Sequence, residues 1–530
     1  MSIDRRDFLQ TGFSGGTLFL MATKAKSSNI ENIEEFDIEE MSVTEMQNAM
    51  KAGDVTSKQL VEIYLQRIKK LDGKLNSIIE LNPDAVAIAE QMDKERKNGK
   101  VRSMMHGIPL VIKDNIDTAD KMKTTAGSLA LIDAPTPKQD AHVVAQMRKA
   151  GAVLLGKTNL SEWANFRSES SSSGWSGRGG QTHNPYILDR SPCGSSSGSG
   201  VAAAANLTAV AVGTETDGSV VCPSSINGIV GIKPTLGLVS RSGIIPLAHS
   251  QDTAGAMART VSDAVILLNS MVGADKKDPI TSQARTKGKK DYTKFLDQNG
   301  LKGARIGVIR QYFGKNAGLD KLMNKNIQTL KKNGAKLIDV KFPDLRKFGD
   351  DEYEVLLYEF KSDLNKYLAK RGGKYNTLEK LIKFNKNNAG KEMPYFKQEI
   401  FVKAQAKKDL NDRAYRLALL RSKVLTQDKG IDMVMDKYKL DALLAPSNSQ
   451  SWLIDLIMGD SPTQYVGSSS LAAVSGYPNI TVPSGFLNEM PIGMSFFGRA
   501  FSEPTLIRIA YSWEQISKAR RKPKFLETYK

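Results

Sequence analysis

Serine and glycine are concentrated in the middle of the chain, between residues 170 and 260. They form a serine run at 170–173, a Gly/Ser stretch at 194–200 and the segment Gly213-Thr-Glu-Thr-Asp-Gly-Ser219. Loops of this composition present hydroxyl groups and free backbone N–H groups, which nucleophilic catalysis and the stabilisation of an oxyanion require. A flexible linker would not be interrupted by apolar segments as this region is, so we predict an active site here.

A serine nucleophile needs a base, and histidine is scarce in this chain. The segment Gly194-Ser-Ser-Ser-Gly198 fits the nucleophile elbow of α/β-hydrolases, whose triad histidine comes far behind the serine. Of the four histidines, His106, His142 and His183 precede this segment and only His249 follows it, at short range. A Ser-His-Asp enzyme is therefore disfavoured, and a lysine is the candidate base, since Ser-Lys pairs are known chemistry.

Two nucleotide-binding patterns also match, but their context disfavours both. Residues 151–158 fit the P-loop, yet the middle residues Ala-Val-Leu-Leu predict a buried strand rather than a phosphate-binding turn. Residues 198–203 fit the loose dinucleotide pattern, but no apolar strand leads into them. We expect no nucleotide at either segment.

The chain offers little for a metal or a disulfide framework. It has two cysteines, Cys193 and Cys222, with no CxxC pair, and no HExxH motif. We expect the cysteines to be small packed side chains flanking the site, with a regulatory thiol as the alternative. We predict no metal and no organic cofactor.

Strands and helices alternate along the chain and position these residues. The strand 107–112 ends directly before Lys113, and the capping boxes Ser42-Val-Thr-Glu45 and Thr56-Ser-Lys-Gln59 each begin a helix. Further predicted strands are 152–155, 209–213, 305–309, 336–340, 442–445 and 479–482, the last stopped by Pro483; further helices are 140–150, 201–206, 321–333 and 507–518, with a helical charged stretch at about 350–440. This order predicts an α/β fold of three layers, α/β/α, with a central mixed twisted sheet covered by helices.

Composition and charge are those of a globular protein with a basic surface. Of the 530 residues, 40% are hydrophobic and 25% charged, and the formal net charge is +18. Most of the excess is lysine spread through 287–440 without regularly interleaved aromatics. A solvated surface explains this better than an anionic partner, which needs a concentrated basic face, so we expect no nucleic acid.

The N-terminus resembles an export signal. Arg5 and Arg6 precede a short, Gly-rich, mildly apolar stretch at 11–22, as in twin-arginine signals. The stretch is too short for a transmembrane anchor. We therefore predict a signal peptide at 1–25, a single domain at 26–530, and a periplasmic or secreted enzyme.

The segments 107–115, 151–159, 194–200 and 213–235 together resemble the amidase signature family in order, spacing and residue types. The resemblance extends from about residue 40 to 520, with the signature core at about 100–260 and a helical cap or cleft wall at about 350–440. Within the family, residues 214–219 and 237–246 look most like the bacterial peptide amidases. The resemblance implies the amidase signature fold and hydrolysis of an amide.

The resemblance also implies a Ser-Ser-Lys triad. Ser219 matches the nucleophile, Ser195 the bridging serine that the family holds after a cis peptide bond, and Lys113 the base. The implied oxyanion hole consists of the backbone N–H groups of Thr216, Asp217, Gly218 and Ser219. A lysine acts as a base only when neutral, so its pKa must fall from about 10.4 to near 7, which burial can achieve.

Two positions depart from the commonest family pattern. Asp217 replaces a small residue, usually Gly, and Val221 replaces Arg. Asp217 places negative charge near the oxyanion hole or binds a positive group of the substrate. Ser171 is a candidate for substrate binding, with a plain loop hydroxyl as the alternative, whereas Asp252 and Arg259 are expected to be structural.

These observations predict an exported serine amide hydrolase that forms an acyl-enzyme. It would release ammonia from peptide C-terminal amides or related small amides, and its oligomeric state stays open. One alternative is a component of a tRNA-dependent amidotransferase, which the positive charge suggests. Another is a non-catalytic protein that binds anionic surfaces through the lysine-rich region.

Overall fold

The computed structural model describes residues 36–343 and 348–529. The predicted export signal at 1–25 and its boundary lie outside the described residues, so the signal and the domain division stay predictions. The main sheet has eleven strands in the order β1-β3-β2-β6-β8-β7-β12-β13-β11-β9-β10, and β4 and β5 pair separately. Their bounds are β1 (Ile78–Leu81), β2 (Pro109–Lys113), β3 (Val153–Thr158), β4 (Trp175–Ser176), β5 (Gly180–Gln181), β6 (Val210–Glu215), β7 (Val230–Lys233), β8 (Thr253–Ala258), β9 (Arg305–Ile309), β10 (Lys336–Val340), β11 (Ala442–Pro446), β12 (Asn479–Leu487) and β13 (Met490–Phe497).

Helices flank this sheet. They are α1 (Val43–Ala52), α2 (Ser57–Leu75), α3 (Ala85–Lys97), α4 (His142–Lys149), α5 (Ser197–Ala204), α6 (Val221–Ile226), α7 (Val261–Asn269), α8 (Ala284–Lys287), α9 (Ala317–Lys332), α10 (Gly349–Arg371), α11 (Leu378–Asn387), α12 (Ala389–Glu392), α13 (Glu399–Gln405), α14 (Arg413–Thr426), α15 (Asp432–Tyr438), α16 (Ser470–Ser475) and α17 (Glu503–Ser517). Short 3₁₀ helices include Leu129–Leu131, Glu162–Asn165, Pro279–Gln283, Thr293–Phe295 and Arg310–Tyr312, and a π turn spans Gln427–Ile431. Among the described helices, none is both long and apolar enough to cross a bilayer.

The sheet is mixed, and its strand β2, third from one edge, positions Lys113. Strand β2 runs parallel to β3 on one side and to β6 on the other, whereas β8, β7, β12 and β13 pair antiparallel. Every residue of β2 is buried, as expected for a strand between two parallel neighbours. The predicted α/β fold with a mixed sheet and flanking helices is confirmed.

Both predicted capping boxes are present. The Ser42 side chain accepts the N–H of Glu45 while the Glu45 carboxylate accepts the N–H of Ser42, and α1 follows. Thr56 and Gln59 make the same reciprocal pair at the start of α2. Each box satisfies backbone donors that the first helical turn leaves without a partner.

The predicted strand end at Pro483 is wrong. Strand β12 continues to Leu487 and forms a hairpin with β13, which was not predicted. Pro483 still pairs with Gly493, and a register shift directly after it leaves Ser484 out of the ladder. A proline next to a bulge is a placement that strands tolerate. The P-loop match is part of the buried strand β3, as its apolar residues indicated.

Candidate active site

Lys113 and Ser195 are in direct contact. Lys113 is the last residue of β2, and Ser195 follows Gly194 through a cis peptide bond just before α5. The Lys113 Nζ donates to Ser195 Oγ at 2.7 Å, to Thr214 Oγ1 at 3.0 Å and to the Thr214 carbonyl oxygen at 3.2 Å. These oxygens surround the ammonium end of a side chain that has no exposed surface.

Burial brings the pKa of Lys113 close to neutral pH, where the side chain can act as a base. Burial lowers the pKa of Lys113 to about 7, against the smaller opposing effects of the Asp252 and Glu215 charges. The neighbouring Asp114 plays no such part, because its carboxylate accepts the Thr125 hydroxyl and the Thr125 N–H instead. About half of the Lys113 side chains are then neutral at pH 7.

Ser219 lies in the turn between β6 and α6, beside the segment that carries Ser195. The Ser196 N–H donates to the Ser219 carbonyl oxygen at 3.2 Å, which holds the two segments together. Gly218 has φ +76°, and a Cβ there would come within 2.9 Å of Ser469 Oγ, so the turn requires glycine. Ser219 is 8% exposed, and within residues 36–343 and 348–529 its hydroxyl makes no hydrogen bond.

The predicted oxyanion-hole residues present a row of free donors. Within the described chain, the backbone N–H groups of Thr216, Asp217, Gly218 and Ser219 donate to no protein acceptor. The next two N–H groups, of Val220 and Val221, donate to Glu215 Oε2 at 2.8 and 2.9 Å. This carboxylate caps the start of α6 and fixes the end of the turn. The four free N–H groups lie directly before that fixed point.

Several residues that support the contact were not singled out from sequence. Asn115 Nδ2 donates to Thr214 Oγ1 at 2.9 Å, and Ser196 Oγ donates to the Thr214 carbonyl oxygen at 3.0 Å. Each lies within a segment already selected, one or two residues after a predicted residue. Their polar side chains in buried segments were the signal that could have identified them.

The remaining sequence candidates take mainly structural places. Asp252 accepts the Thr216 hydroxyl at 2.6 Å and the N–H groups of residues 247 and 248, and Arg259 donates to the carbonyl oxygens of residues 41, 203 and 208. Ser171 donates its hydroxyl to the Ser168 carbonyl oxygen at 2.7 Å. A role for Ser171 in substrate binding stays a prediction.

A cavity of about 400 Å³ adjoins the turn that carries Ser219. Gly194, Asp217 and Gly218 form one side of it, and Trp452, Asp460 and Tyr465 form the other. The second group comes from a loop far along the chain, whose sequence carried no motif. We call this space the acidic cavity, after its two carboxylates.

The expectation of two separate packed cysteines is wrong. Cys193 and Cys222 form a disulfide with a Cα–Cα distance of 6.0 Å, and Ile226 and Trp452 pack against it. The bond joins the residue before Gly194 to the first turn of α6, and it lines the acidic cavity. Two cysteines 29 residues apart carry no pairing signal until the fold brings their segments together.

We expect Cys193→Ala, Cys222→Ala and the double variant to lower stability equally, because each removes the same bond. The disulfide spans 29 residues, and the loop-closure model gives about 3–4 kcal/mol for such a loop. The midpoint of thermal unfolding, measured for all three variants, checks this. Additive losses in the double variant would show that the cysteines act through separate packing contacts.

A second cavity is lined by Thr214 and Thr216 together with His249 and Asp363. His249 Nδ1 lies 2.6 Å from Asp363 Oδ2, and its Nε2 lies 3.4 Å from Glu359 Oε1. Burial alone would lower the pKa of His249, but the hydrogen bond to Asp363 and the Glu359 charge raise it above its ordinary value. In the described parts of the chain, this is the one His/carboxylate group close enough to hold a cation, and its atoms already pair with one another.

Comparison with known proteins assigns the family. The model of the Amidase family matches residues 59–507. A native peptide amidase from Stenotrophomonas maltophilia is similar in structure, with 47% identity, a TM-score of 0.88, and coverage of 92% of this chain and 99% of that one. In sequence, a probable amidase of Arabidopsis thaliana is 41% identical over 520 residues, 96% of each chain.

More distant relatives include subunits of glutamyl-tRNA(Gln) amidotransferases. The one from Thermoanaerobacter pseudethanolicus is 32% identical over 494 residues, which cover 91% of this chain and 98% of that one. The family match, the similar structures and the curated amidases agree on an enzyme that acts on amide bonds. The chain belongs to the amidase signature family.

Proposed function

We propose that the chain is a serine amidase in which Ser219 attacks the amide carbonyl and Ser195 and Lys113 relay its proton. The observation that carries this is the 2.7 Å contact between the buried Lys113 Nζ and Ser195 Oγ. A lysine whose pKa is lowered to about 7 is partly neutral at physiological pH and can accept a proton. A hydroxyl that both donates and accepts can pass that proton along.

The reaction proceeds in two halves. The Ser219 Oγ bonds to the carbonyl carbon while its proton moves to Ser195 and the Ser195 proton moves to Lys113. The resulting oxyanion accepts hydrogen bonds from the free N–H groups at 216–219. The carbon–nitrogen bond then breaks as the relay returns a proton to nitrogen, and ammonia leaves. Water attacks the ester in the same way and releases the carboxylic acid and Ser219.

We propose a peptide C-terminal amide, or a related small primary amide, as the substrate. Support comes from the similar peptide amidase of Stenotrophomonas maltophilia and from the acidic cavity next to Gly218, whose volume of about 400 Å³ admits an amino-acid side chain. Ammonia as the leaving group needs no binding pocket of its own. Recognition therefore falls to the acyl portion.

A second candidate is an amidotransferase component that releases ammonia from glutamine. The relatives named as glutamyl-tRNA(Gln) amidotransferase subunits favour it, at lower identity than the peptide amidases. Such a protein would hydrolyse glutamine and not peptide amides. Comparing these two substrates therefore separates the two candidates.

We further propose that the enzyme is exported by the twin-arginine route. The paired Arg5 and Arg6 before a Gly-rich stretch support this, and so does the Cys193–Cys222 disulfide. Disulfides persist in the periplasm and outside the cell and are rare in the cytoplasm. Finding the protein with residues 1–25 intact in the cytoplasmic fraction would contradict export.

The test is ammonia release from peptide amides, simple acyl amides and glutamine. We expect release from peptide amides by the wild-type protein alone, without nucleotide or a partner chain. Release from glutamine only would favour the amidotransferase candidate. No release from any amide, by a protein that folds normally, would contradict the proposed function.

A further inference from the structure

The acidic cavity differs in charge from the rest of the molecule. The chain has a net charge of +18, yet the described residues that line this cavity include two carboxylates, Asp217 and Asp460, and no lysine, arginine or histidine. Neither carboxylate forms an ion pair with a described basic residue. The cavity therefore holds two carboxylates that are not paired with a described basic side chain, and Lys233 is the basic residue whose charge interacts with Asp217 from outside the lining.

Asp460 is fixed in place by neutral donors. Ser173 donates its backbone N–H to Oδ1 at 3.1 Å and its hydroxyl to Oδ2, and Trp452 Nε1 donates to Oδ1 at 2.9 Å. Burial raises the pKa of Asp460 above its ordinary value, and these donors, which favour the ionised carboxylate, oppose that rise. They also restrict its rotation, so the carboxylate has a defined position in the lining of the cavity.

Asp217 supplies the second charge next to the reacting serine. Its Oδ2 accepts the Ser470 hydroxyl at 2.6 Å, and its side chain is half-buried. Glu352 lies behind it, and burial together with the Asp217 charge raises the pKa of Glu352 well above its ordinary value. Burial and the neighbouring Asp217 thus both favour the neutral form of Glu352.

Two aromatic rings complete the cavity. Trp452 and Tyr465 meet edge to face with ring centroids 6.0 Å apart. Aromatic faces attract cations through their quadrupole, and carboxylates attract them directly. Lys315 reaches only the Tyr465 carbonyl oxygen, at 3.3 Å, and does not line the cavity.

We propose that the acidic cavity selects substrates whose acyl portion carries a protonated amine or guanidinium. Asp217 and Asp460 are then residues that determine specificity. The inference rests on the proposed amidase function and specifies its substrate class. The cation has two sources, the free α-amino group of an amino-acid amide or the basic side chain at the C-terminus of a longer peptide amide.

Matched substrates separate these sources. N-acetyl-arginine amide is compared with N-acetyl-citrulline amide, which has nearly the same shape and no charge, and leucine amide is compared with N-acetyl-leucine amide. We expect kcat/KM to favour the cationic member of at least one pair by about tenfold or more, equivalent to about 1.4 kcal/mol. Ratios below about threefold in both pairs would overturn the proposal.

Variants assign the preference to the two carboxylates. Asp217→Asn and Asp460→Asn should each bring the ratio of cationic to neutral substrate at least threefold closer to one. A ratio within one variant is insensitive to any general loss of activity. Asp54→Asn, which removes an exposed charge elsewhere, should leave the ratio unchanged. An unaltered ratio in both cavity variants would overturn the assignment.

Binding measured without turnover keeps the proposal independent of catalysis. Calorimetry on Ser219→Ala should show tighter binding of N-acetyl-arginine amide than of N-acetyl-citrulline amide, again by about tenfold. Equal affinity would overturn the proposal even if the wild-type protein hydrolyses both. Selective binding without hydrolysis by the wild type would retain the cation preference and reject the amidase function.

Discussion

We expect Ser219→Ala to lower kcat/KM for the best peptide amide by about 10⁴-fold or more, because in the proposed mechanism the Ser219 oxygen forms the acyl-enzyme. The substitution removes one hydroxyl that makes no hydrogen bond within the described residues and is 8% exposed. The fold should therefore be unchanged, and the unfolding midpoint should stay within a few degrees of that of the wild type. Ammonia release under single-turnover conditions measures the loss.

A matched serine outside the site serves as the control. Ser270, at the end of α7, donates its hydroxyl only to the Leu267 carbonyl oxygen at 2.6 Å. Ser270→Ala should retain full activity. If Ser219→Ala kept more than about a tenth of the wild-type rate, the nucleophile would have to be another residue, with Ser195 as the next candidate.

The second large effect concerns Lys113 and pH. The base must be neutral, and its pKa is lowered to about 7, so kcat/KM should rise tenfold per pH unit below about 7 and level off above it. Lys113→Met should lose about 10²–10⁴ in kcat/KM, the usual contribution of a general base, and should lack this pH limb. A full pH profile of both proteins checks the prediction.

The same substitution should stabilise the protein. Lys113 binds a proton in the unfolded chain up to pH near 10 but in the folded chain only below about 7, so folding stability rises with pH between these values. At pH 7 and below, the wild type bears the cost of the buried ammonium, which Lys113→Met removes. We expect a gain of a few kcal/mol, measured as a higher unfolding midpoint at pH 6.

A second buried lysine serves as the control for the pH dependence expected of Lys113. Lys157 is also fully buried, burial lowers its pKa to about 8, and its Nζ donates to Thr124 Oγ1 at 3.0 Å rather than to a serine of the site. Lys157→Met should keep the pH limb near 7. Loss of that limb in Lys157→Met would show that the limb does not belong to Lys113.

Much of the fold could be predicted from local sequence patterns, because those patterns fitted one kind of secondary structure and not the others. Local signals agreed at the capping boxes of Ser42 and Thr56 and at the strand before Lys113. In each case the spacing of apolar residues, the residue at the element's end and the burial of one face predicted the same element. Strands β9 and β10 have the predicted bounds. The sequence could not show that β12 continues past Pro483, because the continuation depends on its pairing with β13 across a register shift.

The site was predictable only where its residues are close in sequence. Thr214 to Ser219 and the contact residues near Lys113 lie in segments marked by composition. The Gly/Ser stretch is typical of a loop, yet residues 197–200 begin the helix α5. A Cβ at Gly198 would collide with the Ser77 carbonyl oxygen, so close packing explains the small residues there. Asp460 and the Cys193–Cys222 pair depend on contacts between distant segments, and no local pattern encodes these.

The disulfide has a consequence for the maturation of the enzyme. The twin-arginine route transports proteins that have already folded, and the cytoplasm keeps thiols reduced. On that route the chain would fold with Cys193 and Cys222 as thiols, and the fold holds their Cα atoms 6.0 Å apart, within bonding range. Oxidation would then form the disulfide in a protein that is already folded, and the precursor and the exported enzyme would differ by two hydrogen atoms at the wall of the acidic cavity.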